Sequence, residues 1–337
     1  MSTIELRSDT FTKPTEAMLD YMFKANVGDD VWDEDFTVKA LEEKIADIFG
    51  MEAALFCPSG TMANQIAIKV HTQAGDEVIC DFTSHVYQYE GGGIAFNSSA
   101  SVKLLHGKRG KLSVDLVEAA LRDENVHYPR TSLVSVENTT NKGGGACYNL
   151  KTLQELSVFC KDKKLSFHMD GARLFHALVE TNTNPEDYGA IFDSISVCMS
   201  KGLGAPIGSL LLGTEAFIHK AKRVRKVLGG GMRQVGYLAA ACDYALDNHV
   251  ALLKEDHRRA KEIEAVLLNT DYVSEIFPVE TNIVIFSLEN PTRLVDHLKT
   301  KNIYCSAIGP KQIRFVTHLQ FDDEMLEKLK EALISYS

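Results

Sequence analysis

Apolar and polar positions alternate along this chain in short blocks separated by helical stretches. Apolar residues at 38, 41, 45, 48 and 49 share one face of a helix predicted over Thr37–Phe49. Further helices are expected at Thr15–Lys24, Met62–His71, Ser113–Arg122, Asn149–Lys163 and Glu215–Val227. The runs Glu52–Cys57, Glu77–Asp81, Val102–Leu105, Ser132–Glu137, Leu165–Asp170, Asp193–Met199 and Gly208–Gly213 read as strands. Strand and helix alternate through residue 213, the pattern of a mainly parallel, doubly wound sheet. Tyr237 to Asn269 then reads as long helix with a break near Asn248. Strands near 282–287 and 312–316 and helices near 291–301 and 322–335 complete the chain. The expected fold is therefore α/β. Residues 1–249 form a large domain on a mainly parallel seven-stranded sheet, and residues 250–337 a smaller α+β domain.

In such sheets ligands gather at the carboxyl ends of strands. Positions 60–61, 85, 137–138, 170–173 and 200–201 all end or follow predicted strands. Lys201 stands where the strand Asp193–Met199 meets Ser200-Lys201-Gly202-Leu203-Gly204. A lysine at a strand end is ordinarily solvated. With its stem packed and glycines beside it, the amine is held near one spot, and partial burial favours the nucleophilic form that makes Schiff bases with carbonyls. Pro58-Ser59-Gly60-Thr61 joins a strand to a helix start, where free N–H groups attract an anion such as phosphate. The same residues also cap helices that hold no ligand.

Composition narrows the classes. The chain has 337 residues, 45% hydrophobic and 24% charged, enough for a sizeable core. A net charge of −10 disfavours nucleic acid or an anionic membrane as partner. Seven scattered cysteines contain no C-x-x-C pair, so neither a metal site nor a disulfide framework is indicated. The opening MSTIELRSDTFTK has no apolar run, and no stretch approaches membrane-spanning length. A cytoplasmic protein with reduced cysteines is expected.

A Schiff-base lysine, a carboxylate, a phosphate-binding helix start and several arginines suit pyridoxal 5′-phosphate. Its ring stores electrons from a breaking Cα bond when a carboxylate keeps the ring nitrogen protonated. Asp170, at the end of another strand, is the placed carboxylate; position alone equally suits a helix cap. His85 suits stacking on the ring. Arg173 and Arg314 suit two-pronged binding of a substrate carboxylate; a salt bridge is the other use open to Arg173.

Ten blocks then point one way: LRSDTFTKP (6–14), VGDDVW (27–32), SGTMAN (59–64), HVYQYEGGG (85–93), VHYPRT (126–131), ENTTN (137–141), MDGARLF (169–175), SKGLGAPIGS (200–209), GGGMRQ (229–234) and IRFVTH (313–318). In this order they resemble the low-specificity L-threonine aldolases. These are pyridoxal-phosphate enzymes of the aspartate-aminotransferase fold, grouped with the aromatic β-eliminating lyases. The resemblance implies that Lys201 holds the cofactor as a Schiff base, Asp170 pairs with the ring nitrogen and His85 stacks on the ring. It implies that Gly60 and Thr61 hold the phosphate, that Ser200 and Arg173 belong to the cofactor-binding set, and that Arg233 and Lys226 reach the phosphate of a neighbouring subunit. Ser8, Arg173 and Arg314 would bind the substrate carboxylate, Tyr89 would line the pocket, and His127 would approach the substrate hydroxyl from a partner chain. The active unit would be at least a homodimer, usually a tetramer. The implied reaction cleaves L-threonine or L-allo-threonine to glycine and acetaldehyde, with His85, His127 or water as the base. The alternatives are a related β-eliminating lyase or an amino-acid racemase on the same scaffold. Thr140, where the family often has His, and Tyr89 and Trp32, which also depart from its usual residues, bear on substrate preference.

Overall fold

A computed structural model describes residues 3–336. The first strand, β1 (Ile4–Glu5), lies apart from the main sheet. The main sheet holds β2 (Ala53–Cys57), β3 (Glu77–Asp81), β4 (Ser101–Leu105), β5 (Thr131–Glu137), β6 (Ser166–Gly171), β7 (Ser194–Cys198) and β8 (Ser209–Gly213). Their order is β2-β8-β7-β6-β5-β3-β4, and β8 alone runs against its neighbours. The strands β3, β7 and β8 are buried at every position. Burial at every position suits a sheet covered by helices on both faces.

Helices supply that cover, and local chemistry sets where they start. The Ser59 side chain accepts from the Met62 amide to begin the helix Gly60–His71. Asp35 does the same for Phe36–Phe49, which ends on Gly50 in the left-handed conformation. The expected break near Asn248 is real. A short 3-10 turn, Val250–Leu252, separates the helices Gly236–Asn248 and Leu253–Leu267.

The second sheet contains β9 (Glu275–Ile276), β10 (Ile283–Ser287), β12 (Ser306–Gly309) and β13 (Gln312–Val316), in the order β12-β13-β10-β9 and antiparallel throughout. β11 (Ile303–Tyr304) pairs in parallel with β1. This corrects the placement of the first residues with the large domain. Ile4 and Leu6 are buried in the second core, beside Ile303, Phe315 and Phe321. The physical cause is backbone pairing. The Leu6 amide bonds Tyr304 oxygen at 2.8 Å, and the Val316 amide bonds Leu6 oxygen at 2.9 Å. From there the chain runs back toward the main sheet, where Thr12 Oγ1 donates to Lys201 oxygen at 3.0 Å.

Candidate active site

β2, β3, β5, β6 and β7 point the same way, so their carboxyl ends form one edge. That edge carries Gly60, His85, Glu137, Asp170 and Lys201. The register makes Glu137 and Asp170 direct neighbours, with Ser196 beside Asp170 on the other side.

Lys201 is half-buried, and its amine makes no hydrogen bond or ion pair among the described residues. Its charge reaches Cys198 and Asp9. Burial pushes the Cys198 thiol up, yet Lys201 and the hydroxyls of Ser200 and Ser209 bring it below its usual value. Ser200 Oγ lies 3.5 Å from Cys198 Sγ. The adjacent Gly202 has a steric reason. A Cβ there would stand 2.3 Å from His176 Nε2, a buried nitrogen without a partner.

Asp170 is buried and accepts from Asn64 Nδ2 at 2.9 Å and from the Ala172 amide at 3.1 Å. The same Asn64 nitrogen donates to Glu90 at 3.0 Å, and Gln65 donates to the other Glu90 oxygen at 2.6 Å. Glu90 in turn pairs with His85 Nδ1 at 2.9 Å. Ligand atoms of His85, Glu90 and Asp170 lie within 4.8 Å of one another. Burial would lower the His85 pKa, but Glu90, Asp170 and Glu137 together hold it above the ordinary value.

Asn64 is oriented from behind. Its oxygen accepts from Ser196 Oγ at 2.6 Å and contacts His168 Nε2 at 3.2 Å. His168 Nδ1 is 2.8 Å from Ser194 Oγ, which is 2.8 Å from His71 Nε2. Burial depresses His168 to about 3 and His71 to about 4, so both rings are neutral. A neutral His168 that donates through Nε2 must accept at Nδ1, so Ser194 donates to it and accepts from His71. The chain of bonds fixes the amide of Asn64 as a donor toward Asp170.

The arginines divide. Arg173 donates Nε and Nη2 to the two oxygens of Asp9, each at 2.7 Å, and both side chains are buried. Burial alone would raise the Asp9 pKa; Arg173 drives it far below the usual carboxylate range. Arg314 has no such anion. Its Nη1 donates to Asn141 Oδ1 at 2.7 Å, its Nη2 to Arg7 oxygen at 3.0 Å, and its Nε is buried without a partner. Burial, and then the charge of Arg173, hold its pKa below the ordinary arginine value. Ser8 caps the short turn Asp9–Phe11, accepting from the Thr10 amide. Tyr89 is half-exposed at the rim, its ring centroid 5.7 Å from that of His85.

Gly60 and Thr61 lie in the first turn of their helix, where amides have no intrahelical acceptor. The Ser209 hydroxyl is buried and 3.6 Å from where a Gly60 Cβ would be. One expected residue is not brought to this edge within the chain. Exposed His127 precedes β5, whose seven residues separate it by about 20 Å or more from the carboxyl edge. Arg233 is exposed and bonded to Asp29 at 2.8 Å, and Lys226 is exposed.

Residues 5–291 match the family model described as beta-eliminating lyase. The chain belongs to that family. The low-specificity L-threonine aldolase 1 of Arabidopsis thaliana is 39% identical over 330 residues, 95% of this chain and 92% of that protein. The low specificity L-threonine aldolase of Escherichia coli (strain K12) is 39% identical over 329 residues, 97% of each. A Leishmania major threonine aldolase structure superposes with a TM-score of 0.88 over 98% of each chain at 21% identity, showing the same fold. Asn64, Glu90 and Asp9 bond the candidate residues Asp170, His85 and Arg173, and strand-end position did not reveal them. A polar residue on the sheet-facing side of the helix Gly60–His71, among Ala63, Ile66 and Ala67, was the available signal for Asn64.

Proposed function

We propose that this chain is a pyridoxal-5′-phosphate-dependent aldehyde-lyase. It cleaves L-threonine and L-allo-threonine to glycine and acetaldehyde and takes other β-hydroxy-α-amino acids. The observation that carries this reading is Arg314, a cation with a buried, partnerless Nε and no acidic partner, bonded to the loop that follows β5. An uncompensated cation of this kind suits a carboxylate ligand.

The donor set fits the cofactor. Lys201 offers a free amine to its aldehyde. Asp170 uses its oxygens only as acceptors, which suits a protonated ring nitrogen. The amides of Gly60 and Thr61, with the hydroxyls of Thr61, Ser200 and Ser209, suit its phosphate. When bound, the cofactor supplies an electron sink for the Cα–Cβ bond.

The chain's own residues do the rest. Arg314, Ser8 and the remaining Nη1 of Arg173 hold the substrate carboxylate, and that grip selects the bond at Cα that breaks. Glu90 holds Nδ1–H of His85, which leaves Nε2 of the neutral ring to accept the β-hydroxyl proton. Tyr89 limits the width available to the substrate's β-substituent. Arg233 and Lys226 act at a neighbouring subunit's phosphate, and His127 at a neighbouring subunit's hydroxyl, in a homodimer or a tetramer built from it. Among the described residues no helix is long and apolar enough to cross a membrane, and we place the enzyme in the cytoplasm.

Threonine, allo-threonine, phenylserine and serine, supplied to protein loaded with pyridoxal phosphate, test the reading by product. Glycine with acetaldehyde or benzaldehyde is expected, and Lys201→Ala should abolish both turnover and the bound cofactor's visible band. Pyruvate and ammonia without an aldehyde, or racemised substrate, would overturn it.

A further inference from the structure

We propose that Glu137 is a positioning residue that ties His85 and Arg314 to one buried anion, coupling the cofactor's stacking partner to the carboxylate grip. This inference rests on the function proposed above. Glu137 ends β5 and is 6% exposed. Its Oε2 accepts the backbone amide of His85 at 2.7 Å, and its Oε1 accepts the backbone amide of Asn141, also at 2.7 Å. Asn141 Oδ1 then accepts from Arg314 Nη1 at 2.7 Å. One carboxylate therefore fixes the first residue of the helical turn His85–Gln88 and the residue that aims an arginine from β13. These bonds reach across 52 and 173 positions of sequence, and the second of them joins the two sheets.

The chemistry favours the anion. Both oxygens face N–H donors, so a proton on either oxygen makes it a poorer acceptor and weakens one arm. Burial, and next the charge of Asp170, lift the Glu137 pKa to about 7, while the two amides oppose the rise. The charge is therefore costly in this position, and the two bonds are what it serves. A glutamine there keeps the shape but accepts on one side only.

Glu137→Gln and Asn141→Asp, in the pyridoxal-phosphate-loaded protein, separate the two arms. Glycine binding, followed by absorbance, reads the carboxylate grip. The visible circular dichroism of the bound cofactor reads the stacking side, and thermal midpoints of the cofactor-free proteins read folding. Asn141→Asp places a carboxylate against Arg314; it should weaken glycine binding about tenfold or more, the scale of one charged hydrogen bond. It should raise KM with kcat and the dichroism nearly unchanged. Glu137→Gln should weaken glycine binding and alter the dichroism together. Wild-type glycine affinity in both variants, or altered affinity fully tracked by lost thermal stability, would overturn the coupling while leaving the proposed function standing. A wild-type protein that takes up no pyridoxal phosphate would overturn both.

Discussion

Asp9 and Arg173 meet side-on, with two parallel bonds of 2.7 Å between wholly buried groups. The pair joins the segment after β1 to the end of β6, so it is a joint of the fold beside the site. Removing one partner strands a buried charge. Asp9→Asn should cost about 3–5 kcal/mol of stability, read by denaturant unfolding. The depressed Asp9 pKa makes its stabilisation present above the unfolded value near 3.8 and lost as pH falls below it.

Arg314 should behave differently, because no protein anion depends on it. Arg314→Ala should leave the fold largely intact and weaken substrate binding by about 2–5 kcal/mol. Lysine should not restore affinity, since the planar fork is lost. Steady-state kinetics on threonine, beside thermal melts, check this; an unchanged KM would remove Arg314 from the grip.

Gly202 is held to glycine by His176. A methyl group 2.3 Å from Nε2 forces the Lys201 turn or the histidine to move. Gly202→Ala should lose about 1–3 kcal/mol of stability, the usual cost of overpacking. His176→Ala in the same chain should recover part of the loss, as measured by thermal midpoint.

His71 and His168 predict an acid-side slope. Unfolded, both bind protons near 6.5; folded, they resist until about 4 and about 3. The unfolded state therefore binds more protons below 6.5, and stability falls as pH drops from 6.5 toward those values. Each group contributes about 1.4 kcal/mol per pH unit within its window. His71→Gln should flatten the slope between pH 6 and about 4, followed by unfolding at fixed temperature.

Exposed Arg233 and Lys226 make assembly a test of the site. Lys201→Ala and Arg233→Ala homo-oligomers should each be inactive or nearly so. Mixed and reassembled, they should recover measurable turnover, because some sites then draw both residues from intact sources. No recovery in verified mixed oligomers would place Arg233 outside the neighbouring site.

Much of this site was legible because chemistry gathers at strand ends. Gly60, His85, Asp170 and Lys201 could be placed on one edge once strand and helix were seen to alternate. The partners that orient them could not. Asn64 sits inside a helix whose apolar face masks it, and Asp9 finds Arg173 164 positions away. Nothing in local periodicity reports such a distance. The strands β1, β9, β11 and β12 are two to four residues long, below the length at which alternation is visible. Arg173 had two open uses, and the structure commits two of its nitrogens to Asp9, leaving Arg314 as the cation with capacity to spare.

The pairing of β1 with β11 has a consequence for biosynthesis. Residues 4–6 find their distant partners at 302–304, 316 and 318. Until nearly the whole chain has left the ribosome, the first strand has nothing to pair with. The segment carrying Ser8, Asp9 and Thr12 then has no anchor on its amino-terminal side. The main sheet can form earlier from its own contiguous strands, but the site closes last. A ribosome stalled shortly before residue 302 would therefore carry a folded sheet with an open, incomplete carboxyl edge.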